Sequence, residues 1–349
     1  MSVLVIGATG FIGSHLCEQL DKQSISCRAL SRNIKKAKKL LKTHDIVQGD
    51  LARFDEIDHN KLFNNIEQVI FAAGVDERVE IKGEAEDFFF YHNVTQCLQV
   101  LKQAKAHGVK RVVVLGSIFT YLNKVHPEIG LADHHLYIAS RCKQQELALA
   151  LNDNNFSVSV AEIPLVLGAG ESGESPIAGL IDYCRFAKPV FCTQGGINAI
   201  SVSTLSEAIV KFTFLTDAPQ TLPIVDENIL WKTITETILK QLQKDKTRVF
   251  VIKDRFFNRL TRMGGYFQQL IGIQAGLNQR YVGDIVNQRF FIEANNSKTL
   301  LGYKGGDMDL ALAQTVDARC KISISTSLSK KYDQTKYHLQ SFKKRCFNF

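Results

Sequence analysis

The chain has 349 residues, 45% of them apolar, enough to bury a large core in one big lobe or two modest ones. Its formal charge of +8 is concentrated at one end: from Ala318 onward eight Lys and Arg face one acid, so the body is close to neutral, which argues against nucleic acid as its partner. Eight cysteines form no Cys-x-x-Cys pair and nine histidines are scattered, which argues against a metal site and for reduced thiols.

The run Val3-Leu4-Val5-Ile6 has strand character and leads straight into Gly7-Ala8-Thr9-Gly10-Phe11-Ile12-Gly13. After it, apolar residues recur at helical spacing through Leu16, Cys17 and Leu20. A buried strand, a glycine turn and a helix start make a phosphate-binding corner: the glycines permit the tight turn, and the helix amides with their positive dipole end receive a diphosphate. Gly7, Thr9, Gly10, Phe11, Ile12 and Gly13 are therefore candidate cofactor-binding residues. A strand that starts this early leaves no room for a signal peptide, and the longest apolar stretch, near 112–122, is too short for a bilayer; a cytoplasmic protein is expected.

Short β-branched runs follow near 25–30, 45–48, 67–72, 111–116 and 156–162, with amphipathic stretches between them, the clearest at 87–107 and 136–152. This alternation predicts an α/β fold, a Rossmann-type doubly wound parallel sheet with a smaller C-terminal substrate lobe. Right-handed crossovers place all strand carboxyl ends on one edge, where ligands bind. The expected division is a dinucleotide domain over 1–165, a strand–helix unit within 195–224 returning to its sheet, a substrate lobe from 166–194 and 225–317, and a basic, mobile tail over 318–349. The glycine-rich segment 168–175 reads as a loop over the cofactor edge.

Three stretches bring chemistry to that edge. The second strand ends in Ser31-Arg32 and has no acid for an adenosine 2′-hydroxyl; a guanidinium suits a 2′-phosphate, which favours NADP(H) over NAD(H) as the alternative. Asp50-Leu51 after the third strand is placed beside the adenine, and Ala72-Ala73-Gly74 after the fourth lets a cofactor lie close. The fifth strand delivers Ser117, and Tyr137 follows at a helix start with Arg141 on the same helix face. A phenol is a poor base near neutrality, and a neighbouring cation favours the phenolate. Ser117, Tyr137 and Arg141 thus form a candidate acid–base site for a carbonyl/secondary alcohol pair exchanging hydride with a nicotinamide.

With these motifs in place, the chain resembles extended short-chain dehydrogenases/reductases of the NAD-dependent epimerase/dehydratase group, over most of 1–317. The match includes Gly7-x-x-Gly10-x-x-Gly13, Asp50-Leu51, Asn93-Val94, Gly108-Val109-Lys110-Arg111, Ser117, Tyr137 with Ser140, Pro164-Leu165-Val166-Leu167-Gly168, Asn296-Ser297-Lys298 and Leu301-Gly302-Tyr303. The resemblance implies a Rossmann domain, a variable substrate lobe, Tyr137 as acid/base with Ser117 as its partner, and Asn93 and Pro164 among the cofactor-binding residues. Two departures stand out. Where the family has a Lys four residues after the Tyr, this chain has Arg141, which supplies charge but has a larger fork and keeps its proton. Lys143 lies off that helix row. Near Ile197 and Ser203-Thr204, the Arg and acids of many sugar-nucleotide epimerases are missing, which points to a less charged substrate.

The stretch 255–271 has an aromatic face with basic flanks. Its expected role is a lobe helix lining a pocket; the alternative is a helix lying on a membrane surface. The basic tail is expected to be solvated, with anionic lipid or nucleic acid as alternative partners. The long helices either side of the fifth strand offer a homodimer interface, as relatives use. Three functional readings remain: an NAD(P)-dependent oxidoreductase acting on a small molecule, a sugar-nucleotide epimerase/dehydratase that keeps its NAD, and a non-catalytic NAD(P)-binding sensor.

Overall fold

Seven parallel strands form the main sheet: β1 (Ser2–Ile6), β2 (Ser26–Ser31), β3 (Asp45–Gln48), β4 (Gln68–Phe71), β5 (Arg111–Leu115), β6 (Ser157–Glu162) and β7 (Thr221–Pro223). The computed structural model describes residues 2–41, 45–170 and 175–321. The strand order is β7-β6-β5-β4-β1-β2-β3, so the winding reverses between β1 and β4. In register, Val5 stands between Ala29 of β2 and Ile70 of β4. The fold is the Rossmann type expected, and the first six strands begin and end within one residue of their expected spans.

Both faces of the sheet are buried at its centre, which is why β1, β4 and β5 are near-continuous apolar runs. Val3 and Val5 point to one side, with Leu16 and Leu20 of helix α1 (Phe11–Lys22) and Leu205, Ile209 and Phe212 of the helix Val202–Phe214. Leu4 and Ile6 point to the other, with Leu62, Phe63, Val100 and Leu101. This period-two alternation fixes each strand's register, because a one-residue slip would exchange the two cores.

The strand of the strand–helix unit expected within 195–224 does not rejoin the main sheet. Gly196–Ser201 instead pairs in parallel with Leu165–Leu167 and antiparallel with Glu227–Leu230, making a separate three-stranded sheet. What returns is the helix Val202–Phe214, which packs on α1, and then β7 at the sheet edge. Hydrophobic spacing signals a strand but not which sheet it joins, and that explains the difference.

The segment 87–107 is not one regular helix. It runs as an α-helix over Ala85–Phe89, a π-helix over Phe90–Thr95 and an α-helix over Gln96–Ala106. The wide turn holds Asn93, whose partners are described below; such bulges gather at functional sites. The Leu301-Gly302-Tyr303 motif closes the chain back onto the body. Gly302, at φ +62°, ends a helix, and the Tyr303 hydroxyl donates to the Val225 carbonyl at 2.6 Å.

The helix Asp254–Leu270 lines a pocket, as expected, but an open one: Arg255, Asn258, Arg259, Arg262, Met263 and Tyr266 border it. Only Gly265 in the helix is buried, and Phe256, Leu260, Met263, Phe267 and Leu270 face solvent. No helix among the described residues is long and apolar enough to cross a membrane. The seven cysteines among them are free thiols; Cys346 and the tail beyond Lys321 lie outside the described residues, as do 171–174 of the glycine-rich loop.

Candidate active site

Gly7 ends β1 at φ +85°, and a Cβ there would lie 2.7 Å from the Ala72 carbonyl oxygen. Only glycine lets the carboxyl ends of β1 and β4 approach this closely. Gly10 donates its N–H to the Gly7 carbonyl at 2.9 Å and is the N-cap of α1. A Cβ on Gly13 would sit 2.1 Å from that same carbonyl, so α1 packs directly on the turn. No side chain caps α1; its first-turn amides carry the positive dipole end at the point where the winding reverses. Thr9 and Ile12 are half-buried at this corner, and the Phe11 ring packs against Gly168 and Gly170 of the loop after Leu165–Leu167.

At the β2 end, Ser31 is buried and its hydroxyl pairs with the Asn33 backbone at 3.3 Å, while Arg32 is exposed. The Asp50 carboxylate accepts from the Ala52 N–H at 3.1 Å and caps the short turn starting at Leu51. Ala72 and Ala73 are half-buried, and Gly74 is exposed at φ +150°.

The other end of the edge holds the titratable groups. Tyr137 enters its helix, Leu136–Leu149, with its N–H bonded to the Gly276 carbonyl at 3.0 Å. Its ring stands between Phe89 and Phe119, edge-on to both. One turn on, the buried Arg141 guanidinium lies 5.9 Å from the Tyr137 ring centroid and donates to the Leu115 carbonyl that ends β5. A Cβ on Gly74 would be 3.2 Å from Arg141 Nη1 and 2.9 Å from Asn93 Oδ1, so the absent side chain at 74 makes room for both. Ser117 caps the helix Ile118–Val125 and also sits beside the Tyr137 hydroxyl. Lys143 is turned away and pairs with Glu146 at 2.8 Å.

The Tyr137 phenol departs from expectation. Burial raises its pKa above the ordinary value; Arg141 pulls down, Glu77 pushes up, Ser117 pulls down and Asp76 pushes up. The cation is where the sequence put it, but desolvation wins. Burial likewise raises Glu77, on the loop after β4. Asn93 commits its amide to the protein: Oδ1 accepts from the Val75 N–H at 2.9 Å and Nδ2 donates to Ser140 Oγ at 3.0 Å. Ser140 in turn donates to the Tyr137 carbonyl at 2.7 Å, so Asn93 ties the loop after β4 to the Tyr137 helix. Pro164 is buried just past β6.

Sequence reasoning passed over two carboxylates on this edge. Glu77 follows Gly74 by three residues, and Glu162 ends β6, buried, accepting from Thr120 Oγ1 at 3.0 Å and Gln145 Nε2 at 3.2 Å. The available signal was positional, an acid at the carboxyl end of a strand beside the Tyr137 helix.

The sequence pattern of the NAD dependent epimerase/dehydratase family matches residues 3–193. The chain belongs to that family. A putative UDP-arabinose 4-epimerase 2 of Arabidopsis thaliana is 25% identical over 296 residues, which is 77% of this chain and 66% of that protein. The chain thus spans just under two thirds of that relative. A UDP-glucose 4-epimerase of Klebsiella pneumoniae is 30% identical over 132 residues, 35% of this chain and 92% of that protein. Among solved structures, the UDP-glucuronic acid 4-epimerase of Bacillus cereus in complex with UDP-glucuronic acid and NAD shares the fold, with a TM-score of 0.67 at 16% identity over 92% of this chain and 100% of that one.

The family's dinucleotide fits the residues present. Side chains at Gly7 or Gly13 would fill the space between β1, β4 and α1, one at Gly74 would crowd Asn93 and Arg141, and the buried Arg141 Nε finds no partner among the described residues.

Proposed function

We propose that this member of the family oxidises and reduces a secondary alcohol/ketone pair, with Tyr137 carrying the hydroxyl proton. The observation behind this reading is the meeting of Tyr137, Ser117 and Arg141 where β5 ends, on the same sheet edge as the glycine corner. A bound pyridine dinucleotide supplies the hydride acceptor and donor. The Gly7–Gly13 turn and the first amides of α1 would hold its diphosphate, and Arg141 Nε would donate toward its nicotinamide ribose. Ser117 would hold the substrate oxygen beside the Tyr137 hydroxyl. Tyr137 would take the alcohol proton as hydride leaves carbon and give one back on reduction. The lobe from 166–194 and 225–317 would close the substrate side.

The oxidation step is common to a net dehydrogenase and to an epimerase or dehydratase that regenerates its cofactor. The relatives support the second arrangement, since those compared are 4-epimerases by name. Against a nucleotide-sugar substrate stands Ile197, which packs among the apolar side chains of the lobe. On the cofactor, the family is described as NAD dependent; a preference for NADP(H) rests on the exposed Arg32 alone, because the Ser31 hydroxyl is turned back on Asn33.

Thermal shifts with NAD⁺, NADP⁺ and their reduced forms test the cofactor reading. A ligand at 100 times its Kd adds about 2.7 kcal/mol. Tyr137→Phe should keep that shift and lose turnover by roughly a hundredfold or more. A Tyr137→Phe protein as active as the wild type removes the phenol from the reaction, and a protein that no dinucleotide stabilises removes the reading as a whole.

A further inference from the structure

The helix Asp254–Leu270 presents its greasiest stripe to solvent. Phe256, Leu260, Met263, Phe267 and Leu270 recur at helical spacing, with Met263 64%, Phe267 62% and Leu270 84% exposed. The face against the body is the opposite one. Asn258 accepts from Asn287 Nδ2 at 2.8 Å, and a Cβ on Gly265 would strike Arg280, so these two positions mark the docked side. At about 100° per residue the apolar stripe points almost directly away from the protein. Such a stripe on a surface helix normally faces the core.

Charge accompanies it. Arg255, Arg259 and Arg262 are exposed and each stands one residue before a member of the stripe, so a basic row runs alongside the apolar one. The helix carries a single acid, Asp254, which accepts from Gln194 Nε2 at 2.6 Å. Just before the helix, Val251 is exposed, and Phe250 and Phe191 lie half-exposed with ring centroids 5.8 Å apart.

We propose that this face seats on an anionic lipid surface, the apolar stripe entering the headgroup–acyl boundary and the arginine row pairing with lipid phosphates. An amphipathic helix with aromatics on one side and cations beside them binds this way, through buried apolar area plus attraction to anionic lipid. Single weak signals hold a protein on a membrane only marginally; the apolar stripe and the arginine row beside it supply two. The proposal is independent of the reaction assigned to Tyr137.

The test is co-flotation of the full chain with phosphatidylcholine vesicles made with and without phosphatidylglycerol, at low and high salt, beside sedimentation velocity without lipid. The wild type should float with the anionic vesicles and release as salt rises. Arg255→Gln/Arg259→Gln/Arg262→Gln should weaken anionic binding by about fivefold per charge removed. Phe267→Ser/Leu270→Ser should lose at least about tenfold on the same vesicles. All variants change exposed side chains, and unchanged circular dichroism and melting temperature verify that they fold. A folded wild type that stays off anionic vesicles at low salt overturns the proposal. So does equal flotation by the Phe267→Ser/Leu270→Ser protein, or a dimer that those two changes dissociate, which would assign the stripe to a second copy.

Discussion

Arg141 and Tyr137 sit one helical turn apart, with the guanidinium 5.9 Å from the phenol ring centroid and anchored on the Leu115 carbonyl. Burial raises the phenol while this cation opposes it, and the Glu77 carboxylate works against the cation. Two substitutions should therefore move Tyr137 in opposite directions. Arg141→Leu removes the positive charge that favours the phenolate, so ionisation shifts to higher pH. Glu77→Gln removes a negative charge that disfavours it, so ionisation shifts to lower pH. Phenolate absorbance followed against pH, with the Tyr137→Phe protein subtracted, reads both. Shifts of the same sign in the two variants would show that the charges do not act on Tyr137 as described.

Gly13 supports the fold and the corner proposed to hold the dinucleotide. Its Cβ would fall 2.1 Å from the Gly7 carbonyl, a backbone atom held by the turn. Gly13→Ala must push α1 away from β1, and overpacking of this kind costs about 1–3 kcal/mol. The loss should appear in urea unfolding, together with loss of stabilisation by a dinucleotide. At Gly10 the same atom is 3.2 Å away, so Gly10→Ala should be milder.

Much of this was legible in the residues themselves. The six leading strands, the glycine corner and the pairing of Tyr137 with Arg141 depend on local periodicity and on i, i+4 geometry, both of which a sequence displays. The destination of Gly196–Ser201 was not, because pairing partners are chosen by tertiary packing. Nor was the raised Tyr137 pKa: desolvation comes from Phe89 and Phe119, which the fold brings in from distant segments. The aromatic stripe of Asp254–Leu270 was visible, but amphipathicity alone does not say whether the apolar side faces the protein or away from it.

His135, the residue before the Tyr137 helix, gives the fold a measurable response to acid. It is buried, accepts from the Asn278 N–H at 3.0 Å through Nδ1, and has its pKa pushed down to about 4 by burial and by His134. An unfolded histidine titrates near 6.5. Between those values the unfolded chain binds the proton and the folded chain does not, so stability should fall as pH drops from about 6.5 to about 4, by about 3 kcal/mol in full. Glu77 and Glu162 have raised pKa values, which stabilise the fold toward acid and oppose this slope. His135→Asn keeps an acceptor for the Asn278 N–H and removes the titration. The difference between wild type and variant in unfolding free energy across this range isolates the histidine, and parallel curves would dismiss it.

The C-terminal closure should be the most sensitive to loss of one charge. Asp226 has a fully buried side chain, 2.5 Å from Lys298 Nζ, with the Gly306 N–H as a further donor at 2.9 Å. Lys298→Met leaves that buried carboxylate without its cation; because the lysine side chain keeps 29% of its surface in water, the cost should fall below the roughly 3–5 kcal/mol of a pair buried on both sides. Removing both charges should be much less harmful, because the penalty lies in the stranded carboxylate and not in the missing attraction. Urea unfolding of Lys298→Met, Asp226→Asn and the double variant separates the two. If the double variant is as unstable as Lys298→Met alone, the charge on Asp226 is not what the lysine is there to balance.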